Sequence, residues 1–284
     1  MSIRALHVVV VAYHAADALD RTLAALDSTL PVTVVDNSQS DAVRSVSRKW
    51  GAEYVETANN TGFAAGVNTA LRVILRGSPQ DVLLLNPDAT ISAGEIAELA
   101  TALHASERVG AVAPRLVDEE GKPQRVLWPF PSPGHAWREA VGLARLQTGA
   151  RFAVGAVLLL RWEALREVGL FDERFFLYAE EADWQRRALG LGWHAAMHPA
   201  ITAVHGGAGT SPDPIRREML FHAAQETYVR KWHGVPGWWV YRAAVVVGAA
   251  LRVALLRDER REGAGRRLHL YVRGPCRAIA APGL

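Results

Sequence analysis

Apolar positions along this chain follow two rhythms that alternate through its first hundred residues. Continuous branched-aliphatic runs, LHVVVVA at 6–12, VTVV at 32–35 and DVLLL at 81–85, are the pattern of strands covered on both faces. Between them, residues 16–26, 42–50 and 92–104 space their apolar side chains as amphipathic helices do, and NNTGFAAGVNTALRVIL enters a helix ending near Gly77. Shorter strands are predicted at 53–55 and 109–113. Strand and helix alternating through short connectors predict an α/β fold, a doubly wound and mostly parallel sheet flanked by helices.

The second half is less regular. Residues 114–149, with several prolines and two tryptophans, read as a loop-rich excursion. A strand at 155–160, a helix from Trp162, a strand pair within 194–204, a flexible HGGAGTSPDP loop and a helix over 215–232 follow. The segment WWVYRAAVVVGAALRVALLRDERR has an apolar run broken by Arg242 and Arg252, shorter between breaks than the roughly 20 residues that span a bilayer. With Trp238, Trp239 and Tyr241 at one end, it has the pattern of a helix lying in a membrane interface, and equally that of a helix packed on the protein with exposed arginines.

Composition narrows the picture. At 284 residues, half of them hydrophobic, the core needs no disulfide, and the single Cys276 suits a reducing, cytoplasmic setting. MSIRALHVVVVAY is expected to be a buried first strand rather than a signal peptide. From Arg252 onward eight arginines against three acids give +5, so the rest carries −2 of the overall +3. A cationic tail on a near-neutral body points to an anionic surface or to simple solubility. No G-x-G-x-x-G follows the first strand and no G-x-x-x-x-G-K-[ST] occurs, which disfavours dinucleotide oxidoreductases and P-loop enzymes.

Ligands of parallel sheets gather at the carboxyl ends of the strands. The polar residues there are Tyr13-His14, Asp36-Asn37 and Asn86-Pro87-Asp88. Asp36 could accept from a nucleobase imide or ribose hydroxyl, or simply cap its own turn. Asp88 could hold Mg2+ or Mn2+ on a diphosphate, or be a turn residue. In FFLYAEEADWQRRA, a helix from about Tyr178 puts Glu180 and Asp183 on one face and Glu181 about 100° away with Trp184. These acids suit a helix start, with Asp183 pairing Arg187, or a proton-transfer site. His205 opens the Gly-rich loop and could be a metal ligand or a surface histidine.

In order, VVVVAY, VVDNSQSD, NNTGFAAGVN, LLLNPDA, GAVAPRL, GAVLLLRWEALREVGLFDERFFLYAEEADWQRR and HGGAGTS resemble the inverting glycosyltransferases of family 2, of GT-A fold, over roughly residues 8–211. The rhamnosyltransferase-like branch is the most similar. The resemblance implies that Asp36, Ala12 and Tyr13 meet the donor nucleobase, that Asn60 and Gly62 line the nucleotide pocket, and that Asn86 and Asp88 stand at the acidic motif. Asp88 and His205 would hold Mg2+ or Mn2+. Where the family has Glu-Asp-x-Asp, this chain has Glu180-Glu181-x-Asp183, so the general base falls on Glu181, with Glu180, Asp183 and Trp184 supporting it.

The resemblance further implies a catalytic domain over 1–212, with a nucleotide-binding part at 1–113 and an acceptor part at 114–212. A basic helical extension over 213–284 would touch the inner face of the membrane. The partners implied are a nucleotide-diphosphate sugar, dTDP-rhamnose or a UDP-sugar, and a glycan or lipid-linked acceptor, with no nucleic acid. The other reading is a non-catalytic scaffold binding nucleotide sugars or glycans in an envelope assembly.

Overall fold

The computed structural model describes residues 5–26, 29–146, 149–206 and 213–279. The chain begins β1 (Leu6–Ala12), α1 (Ala16–Ala24), β2 (Val32–Asp36), α2 (Asp41–Lys49), β3 (Glu53–Glu56) and α3 (Phe63–Ile74). It continues with β4 (Asp81–Leu85), β5 (Ala89–Thr90), α4 (Ala93–His104), β6 (Val109–Val117), β7 (Pro123–Gln124), β8 (Leu127–Pro129) and α5 (Pro133–Ala140). Then come β9 (Arg151–Ala153), β10 (Val157–Leu160), α6 (Trp162–Val168), α7 (Glu180–Gly190) and β11 (His194–His205). Three helices, α8 (Pro214–Leu255), α9 (Asp258–Arg273) and α10 (Pro275–Ile279), end the described residues. Two compact units result, one of residues 1–128, 151–176 and 180–212, the other of 129–150, 177–179 and 213–284.

In the first unit the main sheet runs β3-β2-β1-β4-β10-β6-β11-β5, with β7 beside β6. The first four strands are parallel, as the sequence pattern predicts. The sheet as a whole is mixed, because β10 runs antiparallel to both β4 and β6. All four residues of β10 are buried, and a strand covered on both faces reads the same in either direction. The predicted strand pair at 194–204 is one strand, β11, with register shifts after His194 and between His198 and Thr202. Pro199, which has no N–H to donate, lies in the second shift. Pro114 of β6 pairs with His198 at its edge, so β6 continues to Val117 rather than stopping at Ala113. The excursion over 114–149 also contains α5, whose N-cap Ser132 accepts from the His135 N–H at 3.2 Å and whose first residue is Pro133.

A polar cluster is buried where β4 begins. Asp81 is 1% exposed; its Oδ1 accepts from the Trp162 N–H at 2.9 Å and its Oδ2 lies 2.6 Å from His104 Nε2. Arg161 donates to His104 Nδ1 at 2.9 Å and to the carbonyls of Ser106, Glu107 and Val109. This network ties β4, α4 and the start of α6 together at the sheet edge away from the strand ends that carry the candidate chemistry.

In the second unit, α8 is two helices joined at Gly234, whose φ of 67° and ψ of −175° are not helical. Gly234 takes that backbone without Cβ strain, and Pro236 two residues on starts the next helix. Trp238 and Tyr271 are fully buried, and Arg242 donates to the carbonyls of Tyr271 and Val272 at 2.7 Å each. By length and composition α8 is long and apolar enough to cross a membrane, with Arg242 and Arg252 breaking its apolar run as the sequence shows. Trp239, Val240, Val247, Leu251 and Leu255 leave it exposed at near-helical spacing.

Removing the Asp81 carboxylate strands the Trp162 N–H and His104 Nε2 and loosens the Arg161 network built on His104. Asp81→Ala is expected to lower the unfolding free energy by roughly 3 kcal/mol, read from urea denaturation. A loss below about 1 kcal/mol would mean the cluster is not structural.

Candidate active site at the strand ends

Asp36 ends β2 fully buried. Its Oδ1 accepts from the Ser38 N–H at 2.8 Å and Oγ at 2.5 Å, and its Oδ2 from the Ser40 N–H at 2.8 Å and the Tyr54 hydroxyl at 2.9 Å. The carboxylate thus organises the turn into α2, and a nucleobase would have to join or replace one of these donors. Ala12 is buried and its carbonyl accepts from the Asn37 N–H at 2.9 Å, so its side chain lines no surface. Tyr13, 39% exposed, meets His14 edge-on with ring centroids 4.5 Å apart. An exposed aromatic at this strand end can stack on a base.

The N-x-G-F loop is drawn to the acidic segment by its backbone. Asn37 donates to the Gly62 carbonyl at 2.9 Å, and the Gly62 N–H donates to Asn60 Oδ1 at 3.1 Å. The Phe63 N–H donates to the Phe176 carbonyl at 2.7 Å. Gly62 has a φ of 84°, and a Cβ there would stand 2.3 Å from the Phe176 carbonyl oxygen. Only glycine meets both conditions.

The Asn86-Pro87-Asp88 turn follows β4, and the Thr22 hydroxyl lies 2.7 Å from the Pro87 carbonyl and 2.9 Å from that of Ala89. Pairing of β11 with β5 carries His205 opposite Ala89, and the Gly206 N–H donates to the Asp88 carbonyl at 3.0 Å. His205 Nε2 is then 3.6 Å from Asp88 Oδ1 and 3.4 Å from Asn86 Nδ2. Asn86 presents its amide nitrogen here, which cannot ligate a cation. His205 Nδ1 is 3.0 Å from Gln124 Oε1, while Gln124 Nε2 donates to the His205 carbonyl at 2.8 Å. A proton on Nδ1, held by Gln124, leaves the Nε2 lone pair turned towards Asp88. Among the described residues no group of three or more His, Cys, Asp or Glu forms a cage. One carboxylate and one imidazole, completed by diphosphate and water, is a donor set that suits Mg2+ or Mn2+. The glycine-rich loop beyond Gly206, residues 207–212, lies outside the described residues.

Helix α7 starts at Glu180, after Tyr178 and Ala179 at φ 71° and 64°, a left-handed pair that costs about 1–2 kcal/mol per residue. Helix α7 keeps Trp184 three residues on from Glu181, as the helical spacing suggested. Trp184 is buried, stacks on Phe171 at 5.9 Å and donates to the Gly169 carbonyl at 2.9 Å. Asp183 is buried too, 3.1 Å from Arg187, which donates to the carbonyls of Val168 and Leu170. Both residues therefore fasten the 168–171 segment.

The remaining two carboxyls carry the unusual electrostatics. Burial, with the adjacent Glu181 charge adding to it, holds the Glu180 carboxyl well above the usual range. Burial also lifts Glu181, to about 6, against stabilisation of its charge by its own N–H and those of Ala182 and Gly155. One buried oxygen of each, Oε2, has no hydrogen-bond partner. The next residue after Gly155, Ala156, accepts from the Asn86 N–H at 2.9 Å, which links Glu181 to the Asp88 turn through two residues of backbone. Gly155, Gln124, Thr22 and Phe176 were not singled out in the sequence. Their roles come from backbone groups or from a short strand pairing that no local spacing announces.

The family model for glycosyl transferase family 2 matches residues 7–169. An N-acetylglucosaminyl-diphospho-decaprenol L-rhamnosyltransferase of Mycobacterium tuberculosis is 29% identical over 267 residues, covering 82% of this chain and 86% of that protein. The low-salt glycan biosynthesis hexosyltransferase Agl10 of Haloferax volcanii is 26% identical over 208 residues, covering 70% and 66%. A mannosyltransferase of Pyrobaculum calidifontis, solved with GDP-Man and Mn2+, superposes with a TM-score of 0.61 at 18% identity, over 97% of this chain and 83% of that one. This last similarity bears on the fold alone.

The raised carboxyls make a stability prediction with a definite sign. Their folded-state pKa values exceed the ordinary 4.5, so the folded chain holds more protons and loses stability as pH rises from that value through the raised ones. Glu180→Gln is expected to raise the Tm at pH 8 by about 2–4 °C and to flatten its pH dependence between about pH 5 and 8. An unchanged or lower Tm with the same slope would show that the pair is not frustrated.

Proposed function

The chain belongs to glycosyl transferase family 2, and from that premise we propose an inverting, cation-dependent transfer of a hexose from a nucleotide diphosphate to a lipid-linked acceptor. It is a glycosyltransferase; donor, acceptor and stereochemistry are the proposal. Rhamnose from a dTDP donor and a lipid-diphosphate amino sugar as acceptor are the first choice, on the name of the mycobacterial relative. On this reading residues 1–113 hold the donor, 114–212 the acceptor and base, and 213–284 form the extension.

The observation that carries it is Glu181, a carboxylate lifted to about 6 with one buried oxygen unpartnered, tied through Gly155 and Ala156 to the Asp88 turn. Such a group is ionised at neutral pH yet basic enough to take a proton, the balance general-base catalysis needs. Its carboxylate accepts the acceptor hydroxyl proton as that oxygen attacks the anomeric carbon from the face opposite the nucleotide, whose diphosphate departs with the bonding electrons, which inverts the centre. Burial and the neighbouring Glu181 charge push the Glu180 carboxyl up, so a second negative charge in the site is disfavoured. Asp88 and His205 would hold Mg2+ or Mn2+, whose Lewis acidity neutralises diphosphate charge. Tyr13 and the Asp36 turn would face the base.

The exposed apolar face of α8 supports peripheral contact with a membrane, where a lipid-linked acceptor resides, at its cytoplasmic side. V247E/L251E is expected to abolish co-sedimentation with lipid vesicles while leaving the Tm unchanged; retained binding would remove this face from the account.

For the chemistry, Glu181→Gln is expected to cut kcat by about 100- to 10,000-fold with donor affinity retained. EDTA should stop turnover and Mn2+ restore it. The rate should fall as pH drops through about 6, because protonation removes the base. Nucleotide release from dTDP-rhamnose with a lipid-diphosphate acceptor is the readout. A Glu181→Gln enzyme at full rate would end the base assignment.

A further inference from the structure

The second unit has a groove that the proposed reaction does not use. It opens between the first turns of α8, the end of α9 and α10, with a volume of about 640 Å3. Apolar side chains line it, the larger ones being Ile215, Met219, Leu270 and Val272. Ile215 and Val272, which line the same groove, are 53% and 60% exposed.

The charged residues of the groove are predominantly cationic. Arg266, Arg273 and Arg277 line it together with Glu218. Glu218 is committed to Arg266, with 3.8 Å between Oε2 and Nε, and sits 3.9 Å from His222 Nε2 on its other oxygen. Arg273 and Arg277 have no ion pair among the described residues. They belong to different helices, and Gly274, at φ 95°, makes the turn that brings both to one groove. Two uncompensated guanidinium groups present forked donors suited to phosphate oxygens.

A bare phosphate would satisfy the arginines and leave the apolar side chains in water. A nucleic-acid backbone would do the same. An amphiphile matches both halves of the lining. We infer that the groove seats an anionic membrane lipid, its phosphate on Arg273 and Arg277 and the upper part of its chain along Ile215, Met219, Leu270 and Val272. The site lies wholly within the second unit and owes nothing to Glu181 or Asp88, so it stands or falls separately from the glycosyl-transfer reading.

The test uses the full chain with three soluble probes, dodecyl phosphate, dodecyl maltoside and inorganic phosphate, titrated calorimetrically. Dodecyl phosphate is expected to bind with one-to-one stoichiometry, about tenfold or more tighter than either of the others. R273Q/R277Q should weaken it at least about tenfold, while R260Q/R261Q, removing the same charge outside the groove, should change it less than about twofold. Ile215→Asp should bring dodecyl phosphate down to the affinity of inorganic phosphate. Vesicles of phosphatidylglycerol should bind the protein more tightly than those of phosphatidylcholine, and R273Q/R277Q should remove that difference. Equal losses in the two double variants would reduce the effect to diffuse tail charge. Equal affinity for inorganic and dodecyl phosphate, or no binding of dodecyl phosphate, would also overturn the inference. A Tm within a few degrees of the parent certifies each variant as folded.

Discussion

The antiparallel insertion of β10 between β4 and β6 is the constraint on which the site depends. Reversing this strand brings its amino end, not its carboxyl end, to the edge where β1, β2 and β4 finish. Gly155 and Ala156 therefore arrive beside Asn86 with their backbone groups unspent on helix or sheet. Ala156 secures the Asn86 turn, and Gly155 offers its N–H to Glu181. A parallel strand in the same slot would put Arg161 and the start of α6 there instead. The chemistry thus rests on the direction of a four-residue strand.

Around that edge the protein tolerates several local costs. Two carboxyls adjacent in the chain sit in a poorly solvated place that raises the pKa of both. Tyr178 and Ala179 hold left-handed backbone immediately before them. Elsewhere in the first unit several polar side chains are well matched. Asp81 with the Trp162 N–H and His104, Asn68 with the backbone of Phe171, and Gln185 with both the N–H and the carbonyl of Ala153 are all buried and paired. Local costs concentrated at one place, with satisfied networks around it, are the distribution expected where function rather than stability sets the arrangement.

How much of this could be read in advance follows from what kind of signal each feature leaves. β1, β2 and β4 are plain because residues hidden on both faces must all be apolar. Their neighbour β10 is equally apolar, which is why its direction is silent. The lengths of β6 and β11 were hidden by Pro114 and Pro199, which look like terminators singly and coexist because they meet at the same irregular stretch of one ladder. Ser132-Pro133 was a legible helix start lost among other prolines. At the site, residue type marked Asp36, Asp88, Glu181 and His205, though resemblance rather than spacing gave them roles. Full occupation of the Asp36 carboxylate by its own turn could not be seen, since Tyr54 reaches it from a neighbouring strand. Gln124 left no trace in the sequence at all; its amide matters only because β7 folds back beside β6.

The contact between Gly62 and Phe176 binds two stretches far apart in the chain, and its chemistry is lopsided. Residue 62 must be glycine, because a methyl group there would collide with an oxygen 2.3 Å away. That oxygen is a main-chain carbonyl, which every amino acid supplies, but the Phe176 ring lies against the same spot, its Cδ2 2.8 Å from where a Cβ would stand. Chimeras that splice the amino-terminal half of this chain onto the later half of a relative therefore keep the backbone hydrogen bond of this junction whatever residue arrives at 176, while the ring packing over residue 62 has to be supplied again. Recombination between the two halves is constrained strictly at 62 and only by fit at 176.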